Sequence, residues 1–136
     1  MAGRKVKASI ERRILDNWTR CPLVTPNTRG TTPKDGSRYL EISYPISRQR
    51  TITVGAPGAN VVRESGTMRV VLYIERGAGT EEGEIWLEEL GALFLNKEFD
   101  GVRTWEPSTP VFDDRNDLAN YYGMSSSVEY QADFLG

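Results

Sequence analysis

The chain has 136 residues, 38% of them hydrophobic, 10% aromatic and 26% charged, a composition that suits one compact domain and leaves too little apolar material for a second core. Seventeen Lys and Arg stand against 19 Asp and Glu, a net charge of −2, so a broad basic surface for duplex nucleic acid is not expected. Histidine is absent and Cys21 is the single cysteine. That excludes Ser-His and Cys-His nucleophiles, His-ligated metal, imidazole acid-base work and any internal disulfide, and nothing points to an oxidising compartment. A cytoplasmic setting is expected.

The basic start, Arg4, Lys5 and Lys7, runs into Ile10, Glu11, Arg12 and Arg13 rather than an apolar run, so no secretory signal is expected. No stretch approaches the ~20 apolar residues that cross a bilayer. Val6, Ile10, Ile14 and Trp18 recur every four residues among charged neighbours and predict an amphipathic helix from Arg4 to Thr19. Pro22 and Pro26 confine Leu23 to Thr25 to a short edge strand. Asn27 to Ser37 is rich in Thr, Pro, Gly, Asp and Asn, with nothing to bury, and reads as an exposed loop.

Leu40, Ile42 and Tyr44 alternate with Tyr39, Glu41 and Ser43 as a half-buried strand that Pro45 is expected to end. A second alternation, Arg48 to Val54, meets a turn at Gly55, Pro57 and Gly58 and then Val61, Val62 and Arg63. Pro45 to Gly66 therefore reads as a long two-stranded arm. Thr67 to Arg76 is the strongest strand and is expected to be central, with Met68, Val70, Leu72 and Ile74 on one face and Val71 and Tyr73 on the other.

Thr80 is placed to cap a helix whose first turn holds Glu81, Glu82 and Glu84 and whose body runs from Ile85 to about Asn96. Trp86, Leu90, Leu93 and Phe94 form its main stripe. Ile85, Leu87, Ala92 and Leu95 widen the apolar surface beyond one buried face, which calls for a second partner. Val102 to Trp105 is a short strand, Asp113 to Asn120 a polar loop, and Val128, Tyr130, Ala132 and Phe134 alternate as a last strand with one wet face. The order of elements predicts a single α+β domain: a mainly antiparallel sheet, two helices packed on one face and an extended β-arm.

Three motifs invite chemistry and do not support it. Gly77-Ala78-Gly79-Thr80-Glu81-Glu82-Gly83 follows a strand and opens a helix, but its third glycine is one residue late for a dinucleotide turn and three carboxylates stand where a pyrophosphate would bind. Asp113, Asp114 and Asp117 lack the glycine and terminal glutamate of a calcium loop, and Arg115 occupies a ligand position. Gly123-Met124-Ser125-Ser126-Ser127 starts like a nucleophile elbow without the closing glycine or a histidine. Cys21, between Arg20 and Pro22, reads as a packing residue. No catalytic, metal-binding or cofactor-binding residue is assigned; only a histidine-free carboxylate enzyme stays open as a catalytic reading. The features left over are the helix around Trp86 and the arm, whose Arg48, Arg50, Ile52, Val54, Val61 and Arg63 are candidate subunit contacts along with Trp86.

Nearly the whole chain resembles the tail terminator proteins of long-tailed bacteriophages and related gene transfer agents. The likeness lies in Ile10-Glu11-Arg12-Arg13-Ile14-Leu15, Leu23-Val24-Thr25-Pro26-Asn27, Tyr39-Leu40-Glu41-Ile42-Ser43, Gly66-Thr67-Met68-Arg69-Val70-Val71-Leu72-Tyr73, the helix from Trp86 to Phe94, and Val128-Glu129-Tyr130-Gln131-Ala132-Asp133-Phe134. The resemblance implies a homohexameric ring in the virion, at the head-tail junction. Such a ring caps the last ring of tail tube protein, stops its polymerisation and offers a surface to the head-tail connector or stopper protein. DNA is cargo in the lumen, no membrane is involved and no catalytic residue is carried over. Other neck proteins, a head-tail stopper or a tail-completion factor, share this texture.

Overall fold

A computed structural model describes residues 2–25, 37–55, 57–77, 79–113 and 121–135. The expected loops fall largely outside it: residues 26–36 and 114–120, with Asp114, Arg115 and Asp117, lie beyond the described residues. The elements are α1 (Ala2–Asn17), β1 (Leu23–Val24), β2 (Tyr39–Thr51), β3 (Val61–Glu75), α2 (Glu81–Ala92), β4 (Glu98–Phe99), β5 (Val102–Thr104), β6 (Val111–Asp113) and β7 (Tyr121–Leu135). Among the described residues they form one seven-stranded sheet in the order β1-β2-β3-β7-β5-β4, with β6 also on β7. Every pairing is antiparallel except β1 with β2, as the expected α+β class requires.

Both helices lie on one face. Val6, Ile10, Ile14 and Trp18 share a core with Leu40 and Ile42 of β2, Met68, Val70, Leu72 and Ile74 of β3, Leu87, Leu90 and Phe94, and Met124, Val128 and Tyr130 of β7. The four-residue spacing of α1 and the two-residue spacing of β3 thus bury the groups they select. β3 is central, flanked by β2 and β7 along its length. α2 approaches the sheet closely at Gly83, where an added Cβ would lie 2.5 Å from the Met124 sulfur.

Pro45 does not end its strand. β2 continues to Thr51, and its register against β3 shifts between the pairs Ser43↔Arg69 and Ile46↔Thr67, so one extra residue is accommodated as a bulge. Beyond Glu41 no described strand pairs with the outer side of β2, so the missing N–H of Pro45 costs no ladder bond there. The bulge also reverses the faces. Without it Ile46, Arg48 and Arg50 would continue the buried row of Leu40 and Ile42. With it they oppose Thr67, Ser65 and Arg63 and point away from the helices.

The arm is not a free two-stranded ribbon. β7 begins seven residues before the expected Val128 and pairs with β3 from Glu75↔Tyr121 to Val61↔Leu135, so a third strand supports the arm as far as Val61. Gly66 sits at the bulge because a Cβ there would collide with the Ile46 carbonyl oxygen and the Tyr130 ring.

α2 ends at Ala92, before the expected Asn96, and a turn follows in which Asn96 takes φ 48°, a left-handed conformation that Asn tolerates. Thr80 gives no side-chain cap; only its carbonyl accepts from Glu84 N–H, at 2.9 Å. Past β5 the chain stays on β7: Trp105 N–H donates to the Glu129 carbonyl (3.2 Å) and Ser108 N–H to the Ser127 carbonyl (2.8 Å). Pro107 and Pro110 interrupt this run, which is why β5 and the unexpected β6 read as separate strands.

Candidate interaction surfaces

Two of the motifs that invited chemistry resolve into structure, while the third, Asp113 to Asp117, lies largely outside the described residues. Gly77 and Gly79 have φ of 88° and 78°, so the glycines serve the turn between β3 and α2. Ser125 and Ser126 are buried inside β7, with Ser126 Oγ donating to the Ser108 carbonyl at 2.8 Å, and a mid-strand serine offers no elbow. No group of three or more potential metal ligands occurs among the described residues. The Cys21 thiol, half-buried, has its pKa raised, chiefly by burial, which opposes thiolate chemistry. No described helix is long and apolar enough to cross a membrane.

The outward face of the arm is built by register. Directly opposed residues share a face, so Arg50, Arg63 and Asp133 form one row and Arg48, Ser65, Gln131 and Arg103 the next. Ile46, Thr67 and Glu129 form a third. Arg63 holds Asp133 through two bonds, Nε to Oδ1 at 2.9 Å and Nη2 to Oδ2 at 3.1 Å, and the guanidinium keeps the Asp133 carboxyl below its ordinary range. Arg50 lies directly across from Arg63, a like-charge pair that is unfavourable by itself. Neither Arg48 nor Arg50 has an acidic partner among the described residues. Beyond them Ile52 is 41% exposed and Val54 fully exposed, while Val61 is half-buried opposite Leu135.

The helix-side face of the arm is different. Glu64 is fully buried, close to Gly3 in the first turn of α1. Gln49 Nε2 (3.3 Å) and the Tyr130 hydroxyl (3.4 Å) are its hydrogen-bond donors. It places a carboxylate beside a helix N-terminus, where the macrodipole favours negative charge. Flanked by Arg63 and Ser65, it has no apolar neighbour in the sequence to mark it as buried.

Trp86 does not join the arm residues. It is half-buried on the flank of α2, packed edge-on to Trp18 at 6.2 Å, with the Arg38 guanidinium 4.9 Å and the Arg20 guanidinium 5.4 Å from its ring. Arg38 in turn binds Glu75 and Glu82, and Arg20 binds Glu89. The buried row is Gly83, Leu87, Leu90 and Phe94, so the helix is rotated from the stripe led by Trp86. The true surplus is Ile85 and Leu95, 46% and 48% exposed; a 3.6-residue period sets Ile85 on the outward side with Glu81, Glu88 and Ala92, and Leu95 lies in the turn just past the helix. Leu87, Gly91, Leu95, Pro107 and Pro110 line an apolar groove of about 300 Å³ between α2 and the segment before β6.

The arm thus carries arginines without acidic partners among the described residues and exposed aliphatic groups at its end. The chain belongs to the phage tail terminator family: the sequence model described as phage tail terminator protein matches residues 5–130. It is a structural protein of the phage tail, resides in the virion and contacts tail proteins there. A solved structure with 22% identity superimposes with a TM-score of 0.67, covering 100% of this chain and 99% of its own, which supports the fold. No curated protein matches the sequence.

Proposed function

We propose that the protein is the subunit of a closed homohexameric ring that sits on the last ring of the tail tube, stops its growth and presents the surface that the head-side connector joins. The observation that carries this reading is the family match over residues 5–130; the arm adds to it. An arm that carries Arg48 and Arg50 without acidic partners among the described residues, with Ile52 and Val54 exposed beyond them, is suited to a neighbouring subunit or the adjoining ring, and repeated contacts of one kind close into rings. The net charge of −2 suits a conduit through which DNA passes without being gripped. The proposed partners are further copies of the chain, the tail tube protein and the connector or stopper, in a phage or a gene transfer agent.

Loss of the gene product is expected to leave filled heads and unjoined tails of uncontrolled length in electron micrographs. Tails of normal length with only a joining defect would instead assign the chain to a stopper or completion role.

A further inference from the structure

The ion pairs of the described residues leave a complementary remainder. Arg20 is paired with Glu89, Arg38 with Glu75 and Glu82, and Arg63 with Asp133, all within the chain. On the arm Arg48 and Arg50 are left over, the latter facing Arg63. On α2 the leftover charges are Glu81, Glu84 and Glu88, none of which has a basic partner among the described residues. Each set has exposed aliphatic groups beside it, Ile52 and Val54 on the arm and Ile85 and Leu95 on the helix.

We propose that the arm of one subunit lies along α2 of a second copy, with Arg48 and Arg50 against Glu84 and Glu88 and the tip residues Ile52 and Val54 in the groove between α2 and Pro107–Pro110. The inference rests on the ring reading above and names the surface that the arm meets. The spacings agree: Arg48 and Arg50, two strand steps apart, are separated by about 7 Å along β2, and Glu84 and Glu88, four residues apart on α2, by about 6 Å along the helix. The charges agree as well, since the contact neutralises a cationic face whose own neighbour repels it. Because the two surfaces are different patches of one molecule, the contact is head-to-tail, which generates a ring when the rotation closes. A duplex is the less suitable occupant of the arm, since it offers nothing to Ile52 and Val54.

The test uses two full-length variants, Arg48→Glu with Arg50→Glu in one chain and Glu84→Arg with Glu88→Arg in the other. Each alone is expected to lose the assembly that the unaltered chain forms, by light scattering in solution or by imaging on tail tubes. Mixed one to one they regain it, because every interface in an alternating ring then pairs opposite charges. A second measurement does not depend on these variants folding. In a Cys21→Ser background, Val54→Cys chains mixed with Leu95→Cys chains are expected to form a disulfide-linked heterodimer under mild oxidation, and neither chain alone does so. If the unaltered chain forms no ring in either setting, the ring reading fails and this contact with it. If it forms rings but the mixture does not recover and no cross-link appears, the ring stands and this contact is wrong. Rings untouched by Arg48→Glu and Arg50→Glu, together with lost retention on duplex DNA, would assign the arm to nucleic acid and overturn the proposal.

Discussion

The same three strands, β2, β3 and β7, behave as two materials along their length. Over Tyr39–Ser43, Arg69–Glu75 and Tyr121–Ser127 they are packed under α1 and α2, and Leu40, Leu72, Ile74 and Met124 are at most 1% exposed. Over Ile46–Thr51, Val61–Thr67 and Glu129–Leu135 the ladder continues, yet the whole β2 edge is exposed and the one fully buried side chain facing α1 from β3 in this half is Glu64. The ladder thus runs past the helices with a lighter side-chain load: Tyr130 and Ala132 of β7 still reach the core, while the β2 edge faces solvent. The bulge at Pro45 is the boundary, since it turns the arginine row away from the helices.

If that division is right, the largest stability losses belong to the covered half. Phe94→Ala, at a side chain that is fully buried, is expected to cost about 3–5 kcal/mol in denaturant unfolding, whereas Ile52→Ala on the arm should stay within about 0.5 kcal/mol. Equal losses at the two sites would erase the distinction. Gly66→Ala comes next, at about 1–3 kcal/mol, because the backbone carbonyl of Ile46 cannot move away as a flexible side chain could; an unchanged midpoint would show that the bulge is soft. Glu64→Leu, which removes an acceptor from the buried Tyr130 hydroxyl, is expected to cost about 1 kcal/mol, with Glu64→Gln recovering part of the loss.

The smallest effect separates two carboxylates by pH. The Arg38 guanidinium holds Glu75 down to about 2 from an ordinary 4.5, so the stability it adds is complete above pH 4.5 and is lost as pH falls toward 2. Glu75 is half exposed, which limits that contribution to about 1 kcal/mol or less, reduced further by salt. Burial raises Glu11 instead. Its contribution has the opposite sign: present below its ordinary value and lost as pH rises through the raised one. Carboxyl NMR titration of both groups is the check, and a Glu75 midpoint near 4.5 would remove the Arg38 bridge.

The periodic segments were legible because period and burial coincide. Val6 to Trp18, Met68 to Ile74 and Val128 to Phe134 each select one face by spacing, and each selected face is the buried one apart from the half-buried Phe134. Pro45 misled because a proline stops a strand only where its N–H is needed, and the outer side of β2 has no described partner there. The first half of β7 was hidden because Gly123 and Ser125 to Ser127 have little intrinsic strand preference; their place is set by β3 and β6 on either side. Trp86 drew attention as the largest residue of its helix. Its ring is covered by Arg20 and Arg38, from elements distant in sequence, and only the fold reveals that. The arm's arginines were found by alternation alone, but the face they occupy depends on one inserted residue that no local pattern announces.

An arm that serves partners can be shortened without loss of the fold. Thr51 to Val61 is replaced with a tight turn, and the length distribution of tails assembled with the shortened chain is measured. The shortened protein is expected to keep its circular dichroism while its tails are overlong and unjoined; tails of normal length, capped by the shortened chain, would contradict a partner role for the arm.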